Sequence, residues 1–195
     1  MRIVAGKFKG ITLYEPKDKK TRPLKDMVKE SIFNFLNHSN KISFQLEKAN
    51  VLDLYSGTGS FGLECMSRQA AQVIFIEKEK EATKILEKNI EKLKVKDETK
   101  IFFGDVFYVI KKHDKAFSDW PPDMKFDLIF CDPPFKNLNI EKLIQLVFNN
   151  HVLHKEGILI LHRNKNTKEK LPNYYKIFDE KIYGISKVTF GKFLS

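Results

Sequence analysis

Cysteine is scarce: Cys65 and Cys131 are the only two in 195 residues. Each falls inside a segment expected to be regular secondary structure. Both therefore read as reduced, small apolar side chains of a cytoplasmic protein rather than half of a disulfide. The five histidines (His38, His113, His151, His154, His162) are scattered, and no Cys/His spacing matches a zinc site, so no metal is expected and each histidine reads as structural. Long hydrophobic runs are missing as well. No stretch approaches the ~20 apolar residues of a membrane span, and Met1 to Lys7 shows no signal-peptide core, so neither membrane contact nor export is expected. Internal repeats and low-complexity segments are absent. Acidic charge is in deficit, with 25 Asp and Glu against 35 Lys and Arg. The deficit is uneven. Residues 1–48 carry 11 basic and 5 acidic side chains, residues 49–161 carry 16 and 17, and residues 162–195 carry 8 and 3. A nearly neutral centre between two basic ends is the footprint of a polyanion binder, and points to nucleic acid.

What is present suffices for a real core: 42% of residues are hydrophobic, in a length suited to one domain with a small appendage. Residues 1–48 read as an N-terminal extension on the nucleic-acid-binding side. It comprises a hairpin over residues 2–14, a basic loop at Lys17 to Lys20, and a helix opening at Thr21-Arg22-Pro23 and running to His38 on the apolar positions Leu24, Val28, Ile32, Phe35 and Leu36. Residues 49–195 read as the main domain. Strands are expected at Asn50 to Leu54, Gln72 to Glu77, Thr99 to Phe103, Phe126 to Cys131 and Gly157 to His162. Helices are expected at Ser60 to Arg68, Glu79 to Leu93, Val106 to Lys112 and Ile140 to Asn150. Tyr174 to Tyr183 and Ser186 to Phe193 form a closing hairpin that turns near Gly184. The alternation predicts an α/β, Rossmann-like fold: a mostly parallel seven-stranded sheet with helices on both faces and an antiparallel C-terminal hairpin.

Two motifs carry chemistry. Asp132-Pro133-Pro134-Phe135 follows an apolar strand, and in open α/β sheets the carboxyl ends of the strands are where ligands bind. The Asp132 carboxylate and a backbone carbonyl can accept N–H bonds from a base amine, and the Phe135 ring can stack on the base. The second motif is Asp53-Leu54-Tyr55-Ser56-Gly57-Thr58-Gly59-Ser60-Phe61-Gly62, a glycine turn between strand and helix, with Glu77 ending the next strand 20 residues after Gly57. An acid there is placed to accept from a ribose diol. A dinucleotide would set its pyrophosphate on the helix N-terminus, and Asp53 would oppose that anion. Asp53 suits a cation instead, such as the amino group of S-adenosyl-L-methionine, and Asp105 is placed to accept from an adenine amine or to cap the helix that follows. The expected cofactor set is Asp53, Tyr55, Ser56, Gly57, Thr58, Gly59, Glu77, Lys78, Asp105 and Val106.

These residues together resemble the class I S-adenosylmethionine-dependent methyltransferases. Val4 to Gly10, Thr21 to Asn34, Asp53 to Glu64 and Asp132 to Phe135 are more closely similar to the RsmD family, over essentially the whole chain. The stretch from Thr21-Arg22-Pro23 to Asn34 carries the family resemblance, while the glycine and Asp-Pro-Pro-Phe motifs support the superfamily and the N-methyl class. The resemblance implies methyl transfer to N2 of a guanine in 16S ribosomal RNA, free or in the small ribosomal subunit; a monomer is expected because nothing in the sequence suggests a dedicated interface. Two positions depart from the family pattern: Phe135 stands where Tyr is usual, and Leu24-Lys25-Asp26-Met27 stands where Thr-Thr-Asp-Arg is usual. Asp132, Pro133, Pro134 and Phe135 are the expected catalytic set, and Lys7, Lys9, Lys19, Lys20 and Arg22 the expected RNA contacts. Other readings stay open. A DNA adenine- or cytosine-N4 methyltransferase uses a similar tetrad, a carbon-5 methyltransferase would use Cys131 as nucleophile, an NAD-dependent oxidoreductase uses similar glycines, and an RNA-binding assembly module needs no catalysis.

Overall fold

Strands buried on both faces must be apolar nearly throughout, and those at the centre of this chain are. The computed structural model describes residues 1–16, 24–112, 120, 124–134 and 139–194. Five strands run parallel: β1 (Asn50–Leu54), β2 (Gln72–Glu77), β3 (Thr99–Phe103), β4 (Phe126–Cys131) and β5 (Leu153–Asn164). β6 (Tyr175–Tyr183) and β7 (Ser186–Phe193) form the antiparallel end, and the sheet order is β3-β2-β1-β4-β5-β7-β6. The order reverses between β1 and β4, so the carboxyl ends of those two strands open the crevice where such sheets take ligands.

Among the described residues, five helices complete the two outer layers: α1 (Asp26–His38), α2 (Ser60–Ser67), α3 (Lys80–Leu93), α4 (Val106–Lys112) and α5 (Ile140–Asn149). Alternation along β1 divides the core. Val51 faces a cluster holding α1, α2, α3 and the N-terminal segment, whereas Leu52 and Leu54 face a cluster holding α4 and α5. α3 follows its helical stripe, burying Ala82, Leu86, Ile90 and Leu93. The extension over residues 1–48 joins the first cluster through Ile3, Leu13, Leu24, Val28 and Ile32.

The N-terminal hairpin is smaller than the sequence suggests, with a single antiparallel bridge, Arg2 to Thr12. Backbone bonds close it, from Ile3 N to Ile11 O at 3.0 Å, Gly10 N to Ile3 O at 2.9 Å and Leu13 N to Met1 O at 3.0 Å, and further bonds attach it to α2. Val4 and Ala5 donate their backbone N–H groups to the Glu64 carboxylate at 2.7 and 2.9 Å, and Phe8 N donates to Ser67 Oγ at 2.9 Å. Gly6, at φ +81°, packs so tightly that a Cβ there would lie 1.9 Å from Ser67 O. The first helix also starts later than expected: Lys25 is extended and α1 begins at Asp26, whose carboxylate sits in the first turn and favours the positive end of the helix dipole. The expected opening at Thr21-Arg22-Pro23 lies outside the described residues. Lys29 reaches inward from α1, fully buried, donating to Arg2 O at 2.7 Å and pairing with Glu64 at 3.4 Å. Burial lowers the Lys29 ammonium from its ordinary value, and Glu64 opposes that shift. This buried pair joins the N-terminal segment, α1 and α2, and so fixes the rim above the β1 crevice. At the other end, Tyr183 hydroxyl bonds Ser31 of α1, bringing the β6–β7 turn to the same rim.

Candidate active site

The crevice is a cavity of about 450 Å³, within the range of small-molecule sites. Its floor comes from β1, β2 and β4. Asp53 projects from β1 beneath α2, where only 1% of it is exposed, and its Oδ2 accepts from Gly62 N at 2.9 Å. That N–H is one of the donors a helix N-terminus leaves open, so the place a pyrophosphate would take is filled by the protein's own carboxylate. Gly62 also permits the close approach: a Cβ there would lie 2.3 Å from the buried Phe75 ring. Burial pushes the Asp53 carboxyl well above the usual carboxylate range. The Gly62 N–H opposes this, and the charges of Asp132 and Glu77 add to it.

Glu77 ends β2 and is held by the backbone. Its Oε2 accepts from Gly57 N at 2.7 Å, and its Oε1 from Lys78 N and Glu79 N, both at 2.8 Å. A carboxylate has about four acceptor positions, so Oε2 keeps one. The glycine turn is thereby tied to the second strand, with the acid shaping the turn as well as facing the cavity. Tyr55 adopts φ +58°, unusual for a bulky residue, and its buried hydroxyl has no hydrogen-bond partner among the described residues. Burial raises its phenol.

Asp132 follows β4, and its N–H donates to Leu54 O of β1 at 3.4 Å. The switch point thus sets the catalytic candidate beside Asp53. One of its oxygens, Oδ1, lies 2.8 Å from His162 Nδ1. Next along β5, Arg163 Nη1 donates to Pro134 O at 3.2 Å and Nε to Glu169 Oε1 at 2.5 Å. Neither His162 nor Arg163 stood out in the sequence. They are adjacent polar residues closing an apolar strand, and their partners in the tetrad lie 30 and 29 positions upstream.

The cavity wall brings together Asp53, Tyr55, Ser56, Gly57, Thr58, Glu77, Lys78, Asp132, Pro133 and Pro134 of the expected set. Gly59, Asp105 and Val106 are not on that wall. Gly59 is the residue before α2, and Val106 is buried in the α4–α5 core. Asp105 stands exposed at the start of α4, its Oδ1 accepting from Phe107 N at 2.9 Å as a helix cap. Lys7 and Lys9 lie at the far end of α2, where Lys7 N donates to Ser67 O at 2.7 Å, away from the Ser60 and Phe61 end that meets the cavity. Phe135, Lys19, Lys20 and Arg22 lie outside the described residues. The unanticipated wall residues are Met1, Pro16, Leu24, Lys25, Ile185 and Ser186 from the N-terminal segment and the β6–β7 turn, and Ser60, Glu79 and Ala82 at the starts of α2 and α3, with His162 and the stacked pair Phe61–Phe130 below.

Four carboxylates line the cavity, Asp53, Glu77, Glu79 and Asp132, against the lysines Lys25 and Lys78, an excess that favours a ligand carrying positive charge and disfavours a pyrophosphate. The residues present therefore fit the amino and sulfonium groups of S-adenosylmethionine. Cys131 is fully buried in the α4–α5 core, where burial raises its thiol, so a cysteine-nucleophile mechanism lacks an accessible nucleophile. Among the described residues no cluster suited to a metal ion occurs, and no helix is long and apolar enough to cross a membrane.

Known proteins resemble the chain along its whole length. A family model described as conserved hypothetical protein 95 matches residues 1–192. Ribosomal RNA small subunit methyltransferase D of Haemophilus influenzae is 31% identical over 186 residues, 95% of this chain and 90% of that protein. The Escherichia coli protein of that name is 27% identical over 185 residues, 94% of this chain and 85% of that one. The solved structure of the yhhF protein of Escherichia coli superposes with a TM-score of 0.82 at 25% identity, covering 100% of this chain and 98% of that chain.

Proposed function

The chain belongs to the conserved hypothetical protein 95 family, the RsmD family of small-subunit ribosomal RNA methyltransferases, and on that premise we propose that it transfers a methyl group from S-adenosylmethionine to the exocyclic N2 of a guanine in 16S ribosomal RNA. The observation that carries this reading is Asp132. Its carboxylate stands at the sheet's switch point on a cavity shared with Asp53 and Glu77. The substrate is the RNA itself or a small ribosomal subunit, and the enzyme works as a monomer in the cytoplasm.

S-adenosylmethionine supplies an electrophilic methyl group on a sulfonium. Asp53 would take its amino group, Glu77 Oε2 would accept from a ribose hydroxyl, Lys78 and the turn from Tyr55 to Thr58 would line the rest, and the exposed Asp105 would accept from the adenine amine, while the Val106 side chain stays in the α4–α5 core. The guanine must leave its stack, which costs a few kcal/mol and least in a single-stranded loop. Phe135 returns about 1–3 kcal/mol by stacking. Asp132 and the Pro133 carbonyl accept from the N2 amine, which turns the nitrogen lone pair into the cavity. Asp132 then receives the proton the amine must lose. Holding two reactants in one orientation supplies most of the acceleration. The basic ends of the chain, including Lys7, Lys9, Lys19, Lys20 and Arg22, hold phosphates.

The test is Asp132→Ala. The variant should bind S-adenosylmethionine like wild type yet transfer no methyl to small subunits lacking the modification. Near wild-type transfer by the variant would refute the assignment.

A further inference from the structure

The end of β5 touches the tetrad twice. Arg163, 3% exposed, reaches the Pro134 carbonyl at 3.2 Å while Glu169 holds its Nε at 2.5 Å. That contact fixes the main chain beyond Asp132. It leaves the Asp132 carboxylate itself free to turn, because the terminal torsion of an aspartate is broad and roughly two-fold. His162 removes that freedom. Its Nδ1 lies 2.8 Å from Asp132 Oδ1, with 9% of the histidine side chain and 22% of the aspartate side chain exposed. An ionised carboxylate can only accept, so the shared hydrogen sits on Nδ1.

The histidine is itself held by the sheet. Leu161 pairs with Cys131 of β4 on one side, and His162 and Arg163 pair with Val188 and Lys187 of β7 on the other. A donor carried on a doubly paired strand is set more accurately than one carried on a loop.

We propose that His162 is a positioning residue: by donating from Nδ1 to Asp132 Oδ1 it fixes the carboxylate plane and leaves Oδ2 to accept from the target amine. The inference rests on the methyl-transfer reading above. It adds a specific element to it, because the tetrad is oriented from a neighbouring strand and not by its own turn.

Three variants decide it. In His162→Asn the amide N–H can stand where Nδ1–H stood. In His162→Gln the same amide is displaced by one methylene. In His162→Leu the donor is gone. Each is measured for S-adenosylmethionine affinity by calorimetry, and for kcat with unmodified small subunits in methyl-transfer assays, beside wild type and Asp132→Ala. The expected result is unchanged cofactor affinity throughout, a fall in kcat of about 100-fold for Leu and Gln, as misplacement of a reacting group by about 1 Å produces, and recovery of most of that loss in Asn. If Leu fails to fold, the Asn and Gln pair still decides, since both side chains are polar amides. Wild-type kcat in Leu or Gln, or Asn no better than Gln, overturns the role of His162 while Asp132→Ala remains inactive. No transfer by wild type overturns the methyl-transfer reading, full transfer by Asp132→Ala overturns the role of Asp132, and either takes the inference with it.

Discussion

Replacing Asp53 by Asn should strengthen the empty protein and weaken its hold on the cofactor. Asp53 is almost wholly buried and accepts from Gly62 N at 2.9 Å, a bond that an Asn oxygen can keep. Burial raises its carboxyl above the usual range, so the folded chain binds this proton more tightly than the unfolded chain does. Stability from this group is therefore full below pH 4 and declines as pH rises through the raised folded value. Asn does not ionise and removes that decline. An uncompensated buried carboxylate costs several kcal/mol, partly offset here by Gly62. With about 2–4 °C of Tm per kcal/mol in a chain of this size, the variant should melt about 3–8 °C above wild type at pH 8, and the gap should close towards pH 4. Cofactor binding should move the other way. Loss of one charge-assisted hydrogen bond, about 1.5–3 kcal/mol, weakens S-adenosylmethionine binding about 10- to 150-fold. Binding to wild type should also release a proton, visible as a buffer-dependent enthalpy that is absent in the variant. Fluorimetric melts across pH and calorimetry in two buffers measure both effects. A variant that melts below wild type at pH 8, or binds the cofactor equally well, would refute the electrostatic account of the cavity floor.

Glu64→Gln leaves the buried Lys29 with the more distant Asp26, at 3.9 Å, in place of its buried charge partner, and turns an amide donor towards Val4 N and Ala5 N. It should cost about 3–5 kcal/mol in urea unfolding, well beyond the effect of an exposed Glu→Gln change. Gly62→Ala sets a Cβ against Phe75 and Val73 at 2.3 to 2.8 Å, and should lower stability by about 1–3 kcal/mol through overpacking. Affinity for small-subunit RNA should fall steeply between 50 and 200 mM salt, at about 0.7–0.9 of a log unit per neutralised phosphate for each tenfold rise in salt, while S-adenosylmethionine affinity stays nearly flat. Filter binding and calorimetry at matched salt check the contrast.

The strands and helices of the centre were legible because apolar runs there are bounded by glycine, charge or turn signals: β1, β2, β3, β4, α4 and β7 lie at their expected limits. β5 begins at Leu153, not Gly157. The polar His154-Lys155-Glu156 breaks the apolar pattern, and the register with β4 shifts there, between the Phe126–Leu153 and Leu128–Ile158 pairs. Its far end runs to Asn164 because β7 pairs with Arg163 and Asn164, a tertiary effect that local pattern does not contain. Within the site, Asp53, Glu77 and Asp132 were readable because each ends or interrupts an apolar strand beside a turn motif. His162 and Arg163 carry no such mark, and their partners become neighbours only through the pairing of β4 with β5. Glu64 and Lys29 lay inside the family motif, but their work of joining the N-terminal segment to α2 required the packing to be seen.

The most direct measurement is transfer of a radiolabelled methyl group from S-adenosylmethionine to small ribosomal subunits lacking the modification, followed by digestion and identification of the labelled nucleoside. The label should appear in N2-methylguanosine from 16S RNA, with wild type and not with Asp132→Ala. Label in another nucleoside, or none at all with intact cofactor binding, would contradict it.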